Sequence, residues 1–114
     1  MKNSVSTTQL FASQVVAVMD DLVRTKPDLS SSYFGVTFSQ NKEQITAFIK
    51  TLRFNIPIQF TNEEVEESLE ISLDKKEVFI RAIESIEYFK TTPQSVWLDS
   101  NSLDYWLHTF KEQI

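Results

Sequence analysis

The stretch from Thr61 to Lys90 constrains the fold more than any other, because two helix-starting devices and an apolar repeat of helical period fall within it. Thr61 and Glu64 have the spacing of a capping box, in which each side chain satisfies the other residue's free backbone N–H. Val65, Leu69 and Leu73 follow as the apolar members of the helix that this box opens. Asp74 with Glu77 offers an Asp-started version of the same device, so two helices, or one kinked at Ser72 to Asp74, are expected. From Lys75 onward, Phe79, Ala82, Ile83, Ile86 and Phe89, with Val78 alongside, form one apolar helical face. Thr91-Thr92-Pro93 stops it, since a proline pushes its predecessor out of the helical region.

The same stretch carries the excess charge. Between Asn62 and Lys90 nine acids face four bases, a balance of −5, while the seven acids and seven bases elsewhere cancel. The whole net charge of the 114-residue chain therefore resides on about a quarter of it. A partner of positive sign is favoured by that asymmetry. Phosphate backbones are repelled, and with the bases scattered along the chain no direct nucleic-acid contact is expected.

The remaining segments read as follows. Met1 to Thr8 is polar, a frayed terminus. Phe11, Val15, Val18 and Leu22, with Ala12, Met19 and Val23 beside them, predict a helix from Gln9 that Pro27 ends. Phe34, Val36 and Phe38 alternate with Tyr33, Gly35, Thr37 and Ser39, the pattern of a half-buried strand over 33–39. Ile45, Phe48, Ile49 and Leu52 have helical spacing, with Ser39 or Asn41 as a cap and Glu43 in the first turn, which predicts a helix of about three turns. Phe54, Ile56, Ile58 and Phe60 alternate again, but Pro57 cannot donate to a ladder, so 54–60 is an edge strand or an extended linker. Val96-Trp97-Leu98 is a short apolar plug, and Leu103, Trp106, Leu107 and Phe110 predict a last helix capped from Asp99 to Ser102. The expected fold is one mostly α domain over 1–114, a bundle of four to five helices. An α+β variant has 33–39 and 54–60 paired as a small two-stranded element.

The composition excludes much chemistry. With one glycine, Gly35, the chain has no phosphate-cradling loop, dinucleotide fingerprint or nucleophile elbow. With no cysteine and one histidine, a disulfide framework, a thiol nucleophile and a zinc site lack their ligands. His108 and Glu112 lie one helical turn apart, too few groups for a metal or a triad. An EF-hand loop is excluded because the acidic run lacks alternating Asp/Asn ligands and a central glycine. Carboxylate pairs of the glycosidase kind would need a formed cleft, for which a small helical domain has little room. No catalytic residue, metal or cofactor is expected.

No apolar run approaches the ~20 residues of a membrane span. Lys2 precedes the fairly apolar Leu10 to Met19, but Ser13 and Gln14 interrupt that run and Asp20-Asp21 follows it without a small-residue cleavage site. A cytoplasmic location is expected.

Binding is what remains. On a helix Glu63, Glu66, Glu67 and Glu70 share one face, and the like-charge pairs Glu63/Glu67 and Glu66/Glu70 each cost ~0.2–0.5 kcal/mol. Such a run is commonly a solvated helix start favoured by the macrodipole. It is also the arrangement that steers a cationic partner. Glu63, Glu66, Glu67, Glu70 and Glu77 are the expected contact residues, with Tyr88 and Tyr105 as apolar anchors. Trp106 belongs to the core stripe of Leu103 and Phe110, from which Tyr105 departs. The expected function is stoichiometric inhibition of a basic protein, in the form of a bacterial immunity protein or antitoxin that neutralises a nuclease toxin. An adaptor or secretion chaperone with an apolar face, and a phage-type DNA mimic, are the alternatives. The oligomeric state is not legible.

Overall fold

The computed structural model describes residues 7–92 and 100–114. In chain order it shows helix α1 (Thr7–Thr25), a 3-10 turn (Pro27–Ser31), strands β1 (Tyr33–Gln40), β2 (Gln44–Thr51) and β3 (Asn55–Thr61), then helices α2 (Asn62–Glu70), α3 (Lys75–Thr91) and α4 (Ser100–Lys111). The strands form one antiparallel sheet in the order β1-β2-β3. The mostly α bundle is thereby corrected: the chain is α+β, with a three-stranded sheet in place of either an all-α bundle or a two-stranded element. Residues 1–6 of the expected frayed terminus lie outside the described residues, as does the Val96-Trp97-Leu98 plug. Thr7 and Thr8 already belong to α1.

The error was local and has a physical cause. Ile45, Phe48, Ile49 and Leu52 fit a helical period, yet the same segment fits a period of two, with Ile45, Ala47, Ile49 and Thr51 buried and Gln44, Thr46, Phe48 and Lys50 turned the other way. β-Branched residues favour the second arrangement. Asn41, read as a helix cap, uses its cap chemistry in the hairpin turn instead: its Oδ1 accepts from the N–H of Glu43 (2.8 Å) and of Gln44 (2.9 Å). At the next turn the Thr51 N–H donates to the Phe54 carbonyl at 2.9 Å, which closes a tight link from β2 to β3.

A bulge corrects the facing of β1. Tyr33 pairs with Thr51 but Val36 pairs with Ile49, so Phe34 and Gly35 together oppose Lys50. Gly35 takes φ +99°, a conformation that L side chains rarely adopt. The extra residue brings Tyr33 onto the core side with Val36 and Phe38, and leaves Phe34, expected on that side, 62% exposed.

The helices cover one face of the sheet. α1 lies over β1 and α3 over β3, with α4 packed on α3. The α1 ring of Phe11 meets the β3 ring of Phe60 edge-on at 4.9 Å, and Phe110 of α4 stacks with Phe79 of α3 at 5.8 Å. Phe11, Met19, Leu29, Ile49, Ile56, Ile86, Trp106 and Phe110 are fully buried in the resulting core.

α2 and α3 start as expected. The Glu64 N–H donates to Thr61 Oγ1 at 3.1 Å and the Thr61 N–H donates to Glu64 Oε1 at 2.8 Å, a complete capping box. Asp74 accepts from the Lys76 N–H at 2.9 Å, but Glu77 bonds Arg81 at 3.2 Å, so this second cap has one half. α2 ends at Glu70, two helices result, and Ser68 rather than Leu69 occupies the buried slot beside Val65.

Candidate functional site

The acidic helix α2 is held from beneath by two neighbours. Gln14 of α1 donates from Nε2 to the Ser68 carbonyl at 2.9 Å and accepts from the Leu73 N–H at 2.6 Å, so one amide fixes both the end of α2 and the link to α3. Arg81 of α3 supplies the second hold. Its Nη1 donates to the Gln59 carbonyl of β3, its guanidinium bonds both carboxylate oxygens of Glu64, and Nε donates to Glu77 at 3.2 Å. The same group lies over the Phe60 ring, 4.4 Å from its centroid. The Arg81 hydrogen bond holds the Glu64 carboxyl below its ordinary value against the opposing effect of burial.

With Glu64 and Glu77 engaged below, Glu63, Glu66, Glu67 and Glu70 remain on the outer surface of α2. All four are exposed, and none forms an ion pair among the described residues. Many acids elsewhere do: Asp21 with Arg24, Glu87 with Lys111 at 3.5 Å, Asp104 with Lys90, and Glu112 with Lys26 at 2.9 Å, its other carboxylate oxygen lying 3.2 Å from His108 Nε2. The ridge is therefore contiguous, and no described residue pairs with its charge. Glu77, expected in the contact set, stands at its inner margin, half-buried and tied to Arg81.

The two tyrosines are not brought to this ridge. Tyr88 is 67% exposed on α3 and borders an open groove of about 550 Å³ with Pro57, Ile58, Gln59 and Glu84. Tyr105 lies on α4 beside Ser32 and the Thr51–Arg53 turn, at the end of the sheet away from α2. Its hydroxyl donates to Asp28, a bond that pushes its pKa up to about 12.

The apolar residue that does adjoin the ridge is Ile71. It caps the C-terminus of α2, is 78% exposed, and lines a groove of about 230 Å³ with Glu64, Glu67, Leu73 and Asp74. Leu69 is also exposed on this helix. Ile71 falls off the Val65, Leu69 and Leu73 spacing and sits just before the second cap, the one hint that the sequence offered. An exposed branched aliphatic thus stands among the carboxylates of Glu64, Glu67 and Asp74.

No described helix is long and apolar enough to cross a membrane. Among the described residues no cluster of metal-ligating side chains is present. No protein-family model, curated protein or solved structure matches the chain.

Proposed function

We propose that the chain is a non-catalytic protein-binding module, a stoichiometric inhibitor of a basic protein. A bacterial, cytoplasmic immunity protein or antitoxin that covers the cationic groove of a nuclease toxin is the specific form. The observation that carries the reading is the unpaired ridge of Glu63, Glu66, Glu67 and Glu70. Like charges held side by side with no counterion among the described residues raise the free energy of the isolated fold and are relieved by a cationic surface. Ile71 at the end of the ridge supplies the apolar contact that pure electrostatics lacks. Tyr88 and Tyr105 would act as further anchors only for a partner large enough to reach past α3.

The test begins with capture of partners at low ionic strength from cells that express the chain, followed by association rates with the captured protein. Glu66→Lys with Glu67→Lys is expected to slow association at least tenfold and to flatten its salt dependence. Ile71→Asp is expected to raise the dissociation rate instead. Rates unchanged by the double reversal, or a captured protein without a basic surface, would remove α2 from the interface.

A further inference from the structure

The two edges of the sheet differ. Asn41 donates its N–H to the Gln44 carbonyl at 3.0 Å and Thr51 donates its N–H to the Phe54 carbonyl at 2.9 Å, which fixes the alternation of the ladder on either side of β2. By that alternation Asn55, Pro57, Gln59 and Thr61 turn their backbone groups outward from β3, and Val36, Phe38 and Gln40 turn theirs outward from β1. The β3 edge is closed over most of its length. Pro57 has no N–H, the Gln59 carbonyl accepts from Arg81, and the Thr61 N–H donates to Glu64 at 2.8 Å. On β1 the outward backbone groups of Val36, Phe38 and Gln40 meet no partner among the described residues, and the strand has neither a proline nor a charge. Proline and charge are the usual guards of a free edge. The bulge at Phe34 and Gly35 guards only the start of β1, so Val36 to Gln40 remains a regular template.

The helix above this edge is uncharged as well. Thr8 donates its hydroxyl to the Gln40 side-chain oxygen at 3.2 Å, and the Asp20 carboxylate acts on Tyr33, so α1 runs antiparallel to β1 with Ala12 near the level of Phe38. Ala12 and Val16 are each two residues from Gln14, which reaches α2; at about 100° per residue both fall on the flank of α1 away from α2. Both are half-buried. No charged residue occurs from Thr7 to Met19 or from Tyr33 to Gln40. Copies of a chain of net charge −5 repel one another, so the surface through which two of them meet most readily is one without acids.

We propose that β1 pairs with β1 of a second copy of this chain, antiparallel about a two-fold axis at Phe38, so that the two sheets become one continuous sheet. Phe38 then faces the second copy's Phe38 and Val36 faces the second copy's Gln40, which satisfies every outward N–H and C=O of the segment. An antiparallel edge is complementary to itself, the condition for a closed dimer. On the helical side the two Phe38 rings meet, and the two α1 helices adjoin through the small Ala12 side chains with Val16 beside them. A single foreign strand would satisfy the same backbone groups but leave Ala12 and Val16 uncovered. The α2 ridge lies across α1 from this edge, so the dimer leaves it free and does not depend on the inhibitor reading.

Sedimentation of the full chain over a range of concentrations tests the proposal, with amide exchange as the second readout. A reversible equilibrium of monomer and dimer is expected, with exchange at Val36, Phe38 and Gln40 slowing as the dimer forms and exchange at Gln59 unchanged. Thr37 and Ser39 are exposed, and the two-fold axis sets each Thr37 opposite the second copy's Ser39. Thr37→Lys with Ser39→Lys therefore places like charges across the axis twice and is expected to weaken the dimer about tenfold, even though it lowers the net negative charge. Thr37→Lys with Ser39→Glu places opposite charges there and should return the dimer to near the wild-type affinity. A monomer at every concentration would overturn the proposal. So would equal weakening by the two double variants, or a dimer in which the amides of Val36, Phe38 and Gln40 exchange as fast as in the monomer.

Discussion

Arg81 shows how one side chain ties the site to the fold. It joins β3, α2 and its own helix through Gln59, Glu64 and Glu77, and its planar group packs on Phe60. Arg81→Met would keep the packing volume but leave the Glu64 and Glu77 carboxylates unpaired, and a loss on the order of 2 kcal/mol is expected in urea unfolding. The pH dependence has a definite sign. Glu64 has a folded pKa below its ordinary value of 4.5, so its contribution is fully present above that value and is lost as the pH falls through the depressed one. The stability gap between wild type and Glu64→Gln should therefore be widest near neutrality and close in acid. A gap that widened in acid would mean that the ion pair is not the stabilising state. Tyr33 presents the opposite case. Its hydroxyl is buried without a hydrogen-bond partner among the described residues, and burial, with the charge of Asp20, pushes its pKa up to about 12. Tyr33→Phe removes an unsatisfied group and keeps the ring, so a gain of about 1 kcal/mol is expected; a loss of that size would reveal a bond to the hydroxyl.

At the scale of elements, legibility followed the strength of local signals. α1 and α3 carry long helical repeats and explicit stops, α4 carries a shorter repeat, and the Thr61 capping box fixed the start of α2 to the residue. β2 was missed because an eight-residue segment accommodates both periods, and because Asn41 forms the same side-chain bonds at a hairpin turn as at a helix cap. The bulge at Gly35 was hidden for a related reason: alternation continues through it in the sequence while the facing slips by one residue. Of the site, the α2 glutamates were visible from their spacing, whereas Ile71 and the Gln14 clamp depend on tertiary contacts with no period to show them. Gln14 carries a prediction at this scale. Gln14→Ala would free the Ser68 carbonyl and the Leu73 N–H together, at a cost of about 1–2 kcal/mol, and should speed amide exchange at Leu73 more than at Ile49 in the sheet. Equal acceleration at both would show that α2 opens only with the whole molecule.

Over the whole molecule the charge is uneven: the helix α2 bears a ridge of carboxylates that form no ion pair among the described residues, while no strand carries an acid. Solubility alone does not need that concentration, because the same net charge spread evenly would repel itself less. If the ridge is kept for a partner, the free protein should become more stable when it is broken. Glu67→Lys converts a like-charge pair with Glu63 into an attractive one, a turn apart, and Glu66→Lys does the same with Glu70. Each exchange removes a repulsion of ~0.2–0.5 kcal/mol and adds an attraction of similar size, so the double variant should gain about 1 kcal/mol. For a domain of this size that corresponds to a Tm roughly 4–8 °C higher. Added salt should raise the Tm of the wild type more than that of the variant, since screening relieves the repulsion that the substitutions have already removed. A lower Tm for the variant at low salt would mean that the carboxylates at 66 and 67 support the fold, and the case for a cationic partner at α2 would lose its physical basis.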